Sequence, residues 1–177
     1  SGAQVIDGSL TFDGNKSQRL IRTLGSSGNR RTWTVSTWMK IVSSDHSAAN
    51  HRNWFGADAG SASDASRFLC FVGDNSDFLQ LDLGGASVLD SYSRYRDSTG
   101  WYHHVFALDT TTGSDASTQM RWYVNGKIVR TWTTETAQTA DEELGWNNSA
   151  STHMIGANNA AGPGQWFDGC MSQFYNI

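Results

Sequence analysis

The sequence is poor in proline, cysteine and charge. It has one proline in 177 residues, and charged side chains make up only 17% of it, compared with about 25% in average soluble domains. The 17 acidic residues outnumber the 13 basic ones, whereas phosphate binding needs a concentrated basic surface. The one cluster that combines basic and aromatic residues, at 91–96, is short. We therefore expect no nucleic-acid partner.

Long apolar runs and closely spaced cysteines are also missing. No run approaches the ~18 consecutive apolar residues of a membrane span, so we expect no membrane insertion. The two cysteines, Cys70 and Cys170, lie far apart and lack the C-x-x-C spacing of a metal site. Both have apolar neighbours, which favours buried free thiols, with a long-range disulfide as the alternative.

The sequence consists instead of short β-forming segments separated by Gly, Asn, Asp and Ser. Helical periodicity is nearly absent, and the single proline, Pro163, lies in a turn-forming segment. Asn125 and Gly126 stand between two β-forming runs, which predicts a hairpin with a type I′ turn. The predicted strands are 4–12, 18–23, 32–42, 52–56, 67–72, 78–83, 87–89, 101–109, 119–125, 127–133, 152–156 and 166–176. This pattern predicts an all-β fold of two stacked antiparallel sheets.

Two neighbouring histidines stand in one of these strands, "WYHHVFALD" at 101–109. Successive side chains of a strand point to opposite faces, so His103 shares a face with Trp101, and His104 shares the other face with Tyr102. The two imidazoles diverge and do not share a metal ion. We therefore predict that His103 is structural, with its ring nitrogens bonded to the backbone or to a hydroxyl.

An ordered set of segments resembles a known family. The segments are "SLTFDG" (9–14), "TWTVSTWMK" (32–40), "WYHHVFALDTTTG" (101–113), "MRWYVNGKIV" (120–129), "HMIGANN" (153–159) and "FDGCMSQFY" (167–175). In this order they are similar to laminin-G-like domains and, more narrowly, to the concanavalin A-like lectin/glucanase superfamily, in the version common in phage structural proteins. The resemblance implies a jelly-roll sandwich. Its framework positions are matched by Phe12, Val35, Trp38, Trp101, His103, Tyr123, Gly126 and Gly169.

Some members of that superfamily are glycoside hydrolases with a strand motif E-x-D-x-x-E, in which two carboxylates flank the scissile bond. The sequence has three glutamates, Glu135, Glu142 and Glu143, and none has that spacing. The histidine and lysine partners found in the superfamily's polysaccharide lyases are missing, and there is no G-x-S-x-G motif. We therefore expect no catalytic activity, with a glycan-active enzyme as the minor alternative.

Sugar sites in such sandwiches combine an aromatic ring, which stacks on the sugar, with amides that bond its hydroxyls. Trp146 fits this pattern best, because it stands between Gly145 and Asn147 with no apolar residue after it. The predicted ligand-binding residues are Trp146, Asn147, Asn148, Asn158, Asn159 and Trp166. We place the site on one edge of the sandwich, among loops that also hold Asp74 and Asn75.

Calcium binding is common in this superfamily, and Ca²⁺ needs several converging oxygen ligands. Asp74, Asn75 and Asp77 stand in one predicted turn, and Asp109 and Asp115 stand in another. Asp and Asn in turns ordinarily bond the nearby backbone. A purely structural role is therefore the alternative to a Ca²⁺ site at 74–77.

The leading hypothesis is a non-catalytic carbohydrate- or receptor-binding module, and the resemblance implies a phage virion protein such as a tail fibre. Its partner is then a glycan or a host-surface receptor, and its location is the virion or the extracellular space. The alternative from a different class is a structural decoration or homo-oligomerisation domain without a ligand. We expect one domain, residues 1–177, cut from a longer chain.

Overall fold

The computed structural model describes residues 7–41, 52–58, 68–72, 78–83, 86–157 and 166–177, with the backbone alone for 68–72. Within these ranges the chain forms one short helix, α1 (Ala116–Gln119), and thirteen strands. The strands are β1 (Leu10–Phe12), β2 (Leu20–Thr23), β3 (Thr32–Ile41), β4 (Arg52–Asp58), β5 (Phe68–Val72), β6 (Phe78–Leu83), β7 (Ala86–Arg94), β8 (Tyr102–Asp109), β9 (Met120–Val124), β10 (Lys127–Ile128), β11 (Trp132–Glu135), β12 (Thr152–Ile155) and β13 (Gly169–Asn176).

The strands form two antiparallel sheets, one of six strands in the order β1-β13-β3-β8-β9-β10 and one of seven in the order β11-β7-β6-β5-β4-β12-β2. Two of the crossings between the sheets join their outermost strands: residues 129–131 lead from β10 to β11, and residues 13–19 lead from β1 to β2. We call the side of β10 and β11 the closed edge and the side of β1 and β2 the open edge. The prediction of an all-β jelly-roll sandwich is confirmed.

The single strand predicted at 127–133 is in fact two strands that belong to different sheets. β10 ends at Ile128 and β11 begins at Trp132, because the residues between them cross the closed edge. The backbone N–H of Val129 donates to the carbonyl of Trp122 at 2.8 Å, and the ring of Trp132 lies 6.4 Å from that of Trp122. Packing against the core therefore splits a run that is continuous in sequence.

The hairpin prediction is confirmed by the backbone of β9 and β10. Asn125 has a φ of 50° and Gly126 a φ of 75°, and a type I′ turn requires a positive φ at both central residues. Asn125 also accepts a hydrogen bond from the backbone N–H of His103 through its Oδ1, at 2.8 Å. The turn is thus tied to the neighbouring strand β8.

The two histidines of β8 point to opposite faces, as predicted. His103 is half-buried and stacks on Trp38, with ring centroids 4.8 Å apart, and its Nε2 lies 2.9 Å from the hydroxyl of Ser36. His104 is 1% exposed, and its Nδ1 accepts a hydrogen bond from the indole N–H of Trp122 at 3.3 Å. Burial, aided by His103, lowers the pKa of His104 to about 3. Both histidines are part of the packing.

Two further predictions concern the cysteines and the membrane. Cys170 is a free, half-buried thiol, 3.6 Å from the hydroxyl of Thr11, while the side chain of Cys70 is not among those described. No helix within the described ranges is long and apolar enough to span a bilayer.

Candidate functional site

A groove of about 440 Å³ opens along the open edge of the sandwich. It is lined by β2 and the nearby Leu24, by β12, by Trp146 and Asn147, and by the last residues of β13. A second groove, of about 390 Å³, continues it toward β1. The side chains that both share are Leu20, Ile155 and Phe174. We call the two together the edge groove.

The apolar part of the edge groove comes from an edge strand. β2 pairs with β12 on one side and with no described strand on the other, and all four of its residues are exposed. Leu20 and Ile21 are 48% and 52% exposed. Apolar surface that lies open beside polar groups is typical of a ligand or partner site.

Phe174 is the aromatic side chain that β13 contributes to the edge groove. The register of β13 against β3 shifts between Ser172 and Tyr175, and Gln173 has a left-handed φ of 52°. This bulge interrupts the alternation that begins at the buried Met171, so that Phe174 is half-buried and Gln173 is exposed. The bulge therefore gives the groove a ring that a regular strand would direct outward.

A chain of hydrogen bonds orders the polar end of the edge groove. Asn176 donates through Nδ2 to Asn147 Oδ1 at 2.7 Å and accepts through Oδ1 from the indole N–H of Trp146 at 3.1 Å. Asn147 donates through Nδ2 to the carbonyl of Asn29 at 2.9 Å. Each amide nitrogen carries two N–H groups and uses one of them in bonds to the described residues, so that one is left for a ligand.

His153 lies buried in β12, beside this network. Its Nδ1 donates to the carbonyl of Ser151 at 3.1 Å, and its Nε2 accepts from the backbone N–H of Asn147 at 2.9 Å. Both bonds form only when the ring is neutral, with its proton on Nδ1. Burial, aided by the positive charge of Arg22 and opposed by the bond to Ser151, lowers the pKa of His153. His153 is therefore neutral, and it holds the loop residue Asn147 against the sheet.

Trp146 lies in the core and not in a solvent-facing loop. It is 4% exposed, and its ring centroid lies 5.0 Å from those of Phe55 and His153 and 6.2 Å from that of Trp33. The lack of an apolar residue after Trp146 in the sequence does not mean an exposed ring, because its packing partners come from other strands. The ring has no free face on which a sugar could stack, although the residue still lines the edge groove.

The other described residues of the predicted ligand set lie in three places. Asn147 lies in the edge groove. Asn148 accepts through Oδ1 from the backbone N–H of Ala150 at 3.0 Å and so stabilises its own turn. Trp166 lies ahead of β13, and the guanidinium of Arg19 covers its ring at 5.0 Å. The structure therefore brings Trp146 and Asn147 together and leaves Asn148 and Trp166 outside the groove lining.

The calcium prediction concerns a segment that the structure does not describe. The predicted ligand and metal residues outside the described ranges are Asp74, Asn75, Asp77, Asn158 and Asn159. Within those ranges no group of three or more His, Cys, Asp or Glu side chains could hold a metal ion. Asp109 and Asp115 accept bonds of 2.6 to 3.0 Å from Thr111 and Ser117 in their own turns, which lower the pKa of both carboxyls. These two aspartates cap turns.

The three glutamates lie away from the edge groove. Glu143 bonds Arg30 at 2.9 Å and Arg31 at 3.3 Å through its two carboxylate oxygens. Glu142 accepts from a backbone N–H of its own turn at 3.1 Å, and Glu135 is the last residue of β11. The carboxylates of Glu143 and Glu142 therefore stabilise the loop that follows β11.

The groove residues that sequence reasoning missed include Arg22, His153, Phe174 and Asn176. All four lie in segments that were predicted as strands, so their secondary structure was available from the sequence. Their proximity depends on the strand order, in which β2 and β12 form one margin of the seven-stranded sheet. The adjacent polar residues Ser172 and Gln173, which stand between the apolar Met171 and Phe174, are the signal that could have indicated the bulge.

Comparison with known families gives one sequence match. The model of a laminin G family described as the concanavalin A-like lectin/glucanases superfamily matches residues 13–175. No curated protein matches the sequence.

Several solved structures share the fold. Domains LG4-5 of the mouse laminin α1 chain align with a TM-score of 0.59 at 11% identity, over 98% of this chain and 44% of that one. The enzymatically active domain of tailspike protein 2 from bacteriophage CBA120 gives 0.58 at 13% identity, over 99% and 29%. The CBM40 module of Ruminococcus gnavus IT-sialidase gives 0.60 at 10% identity, over 97% and 91%. The chain thus spans less than half of the laminin and tailspike structures, and these identities show the fold alone.

Proposed function

Since the chain belongs to the concanavalin A-like lectin/glucanases superfamily, we propose that it is a non-catalytic module that binds a carbohydrate in the edge groove. The observation that carries the proposal is a half-buried aromatic ring, Phe174, beside two ordered amides, Asn147 and Asn176. An aromatic ring can stack on the apolar face of a sugar while amides bond its hydroxyls. The groove volume of about 440 Å³ also falls within the ~300–1,000 Å³ usual for ligand pockets.

The solved structures are compatible with this proposal. One of them is the sialidase CBM40 module bound to α2,3-sialyllactose, which aligns over 97% of this chain with a TM-score of 0.58 at 11% identity. A two-sheet sandwich of this size therefore supports sugar binding in at least one protein. The position of the sugar on the present chain rests on its own residues.

The absence of catalysis is part of the proposal. The pair of carboxylates that glycoside hydrolysis uses must flank the bond that is cleaved, and no glutamate lines the edge groove. Asp7 is the one carboxylate among the described residues of its lining, and it belongs to the part near β1. We therefore propose binding without turnover.

We also propose that the full-length protein is part of a phage virion, such as a tail fibre, and that this module meets a glycan or receptor on the host surface. The support is the ordered set of segments that resembles phage structural proteins, together with the tailspike structure among those with this fold. The module would then function in the virion or outside the cell.

A structural or oligomerisation domain without a ligand is the second candidate. The observation that favours it is the exposure of Leu10 on β1 and of Leu20 and Ile21 on β2, since edge strands with exposed apolar residues are ready to pair with another chain. This candidate predicts self-association through the open edge and no response to sugars.

A glycan array at a defined calcium concentration tests the proposal, with the parent chain compared with Phe174→Leu. Leucine keeps most of the apolar volume and removes the aromatic face. We expect responsive glycans to bind roughly fivefold more weakly, from a loss of about 1 kcal/mol. The matched control is Phe78→Leu, which changes another half-buried phenylalanine, on β6, outside the groove.

Two results would contradict the proposal. Equal binding by Phe174→Leu and the parent would place the sugar elsewhere. If no glycan binds and sedimentation shows a stable oligomer, the structural candidate holds instead.

A further inference from the structure

Among the described residues, Arg22 has no hydrogen-bonded or ionic partner for its charge, and in this it differs from Arg19, Arg30 and Arg31. Arg30 and Arg31 bond Glu143, and the guanidinium of Arg19 lies over Trp166. Among the described residues Arg22 forms no hydrogen bond or ion pair, although it lines the edge groove. Its guanidinium is therefore available to a ligand.

The surroundings of Arg22 do not supply an opposite charge. It stands opposite His153 in the register of β2 and β12, and that imidazole is neutral because both of its nitrogens are used within the protein. No carboxylate is among the described residues that line the 440 Å³ part of the groove, and Asp7 lies in the other part, near β1. The polar end of the groove is thus positive.

The other polar groups at this end also present donors. Asn147 and Asn176 each keep one amide N–H that no described residue uses. A carboxylate or sulfate only accepts hydrogen bonds, and an arginine can bond two of its oxygens side by side. Donors and a positive charge therefore meet at one place, beside the apolar side chains of Leu20 and Phe174.

We propose that the edge groove selects glycans that carry an anionic group and that Arg22 is the residue that recognises it. This inference rests on the proposed carbohydrate binding and adds the class of sugar. The anionic group is a carboxylate or a sulfate, which share the acceptor chemistry that Arg22 and the amides require. Leu20 and Phe174 contact the apolar face of the same sugar.

A different role for Arg22 makes a different prediction. A charge on an edge strand also discourages pairing with a second chain. If this were its only role, replacing Arg22 would cause self-association and would leave the preference among sugars unchanged. The two roles can therefore be separated by measuring sugar preference and sedimentation on the same variants.

The test uses three oligosaccharides with one backbone: a carboxylated form, the form with that carboxyl reduced to an alcohol, and a sulfated form. Binding is measured by calorimetry for the parent chain, Arg22→Gln and Arg130→Gln. Arg130→Gln is the control, because it removes the same charge from an exposed residue in the crossing at the closed edge. Melting temperatures confirm that all three are folded.

We expect the parent to bind at least one anionic form about tenfold more tightly than the neutral form, and Arg22→Gln to lose that preference while Arg130→Gln keeps it. The preference should also shrink as salt is raised. Equal binding of neutral and anionic forms, or a preference that survives Arg22→Gln, overturns the inference and leaves carbohydrate binding intact. If none of the forms and no glycan on an array binds, both proposals fall.

Discussion

The two edges of the sandwich differ in how the chain passes from one sheet to the other. At the closed edge the crossing occupies residues 129–131, and Trp132 packs at once on the core residue Trp122. At the open edge it occupies residues 13–19 and includes a 3₁₀ turn that Asp13 caps. The short crossing is covered by its own aromatic residue, whereas the longer one is largely polar.

This difference explains why the groove lies where it does. The crossing at the open edge leads into Leu20, the first residue of β2. From there to Leu24 no described segment covers the strand, and all four residues of β2 are exposed. Its apolar side chains and Arg22 therefore remain exposed beside the interior. The two edges of one sandwich thus have different surfaces: an aromatic residue packs on the core at the closed edge, and a groove with exposed apolar side chains lies at the open edge.

The largest expected effect on stability comes from Trp146, a core residue that lies at the open edge. Trp146→Ala should lower the free energy of unfolding by about 3–5 kcal/mol, because the cavity cannot be filled by its neighbours. Trp132→Ala, at the half-buried aromatic residue of the closed edge, should cost less. Chemical denaturation followed by circular dichroism measures both. A Trp146→Ala variant as stable as the parent that no longer binds sugar would instead mean that the ring is a ligand platform.

The second effect is a dependence of the free energy of unfolding on pH, which comes from His104 in the interior between the two edges. The pKa of His104 is about 3 in the folded chain and about 6.5 when unfolded. The unfolded chain therefore takes up the proton first, and stability falls as the pH drops from 6.5 toward 3. At pH 5 the loss due to His104 should be roughly 2 kcal/mol.

Urea unfolding from pH 7 to pH 4 measures this dependence. His104→Gln should have a shallower slope than the parent, whatever its stability at pH 7. His153, whose pKa is also lowered, accounts for part of the slope that remains. An unchanged slope in His104→Gln would contradict the burial of that ring.

A smaller effect should come from the hydrogen bonds at the polar end of the groove. Asn176→Ala leaves the indole N–H of Trp146 without its acceptor, which should lower the free energy of unfolding by about 1 kcal/mol. Asn148→Ala is the control, since that side chain bonds only its own turn. If both variants unfold at the same urea concentration as the parent, the network contributes nothing to stability.

Much of the fold could be predicted from local patterns. The alternation in 101–109 placed His103 and His104 on opposite faces, and Asn125-Gly126 gave the hairpin, because both features depend on neighbouring residues alone. The division of 127–133 between two sheets could not be predicted, since nothing in that run interrupts its β-forming pattern. It follows from the packing of Trp132 on a residue of another strand.

The candidate site was harder to predict for the same reason. Trp146 looked solvent-facing because its sequence neighbours are glycine and asparagine, but its contacts in space are with Phe55, His153 and Trp33. Phe174 was assigned to a strand, and only the bulge at Gln173 turns it into the groove. Contacts between distant parts of the chain decide both outcomes.

The central claim is that the open edge, and not another surface, holds the sugar. Nuclear magnetic resonance titration with a responsive glycan tests it most directly. We predict that the largest chemical-shift changes fall on the side-chain amides of Asn147 and Asn176, the guanidinium of Arg22 and the ring of Phe174. Changes confined to the closed edge, or to Gln80 and Asp82 of β6 in the seven-stranded sheet, would contradict the claim.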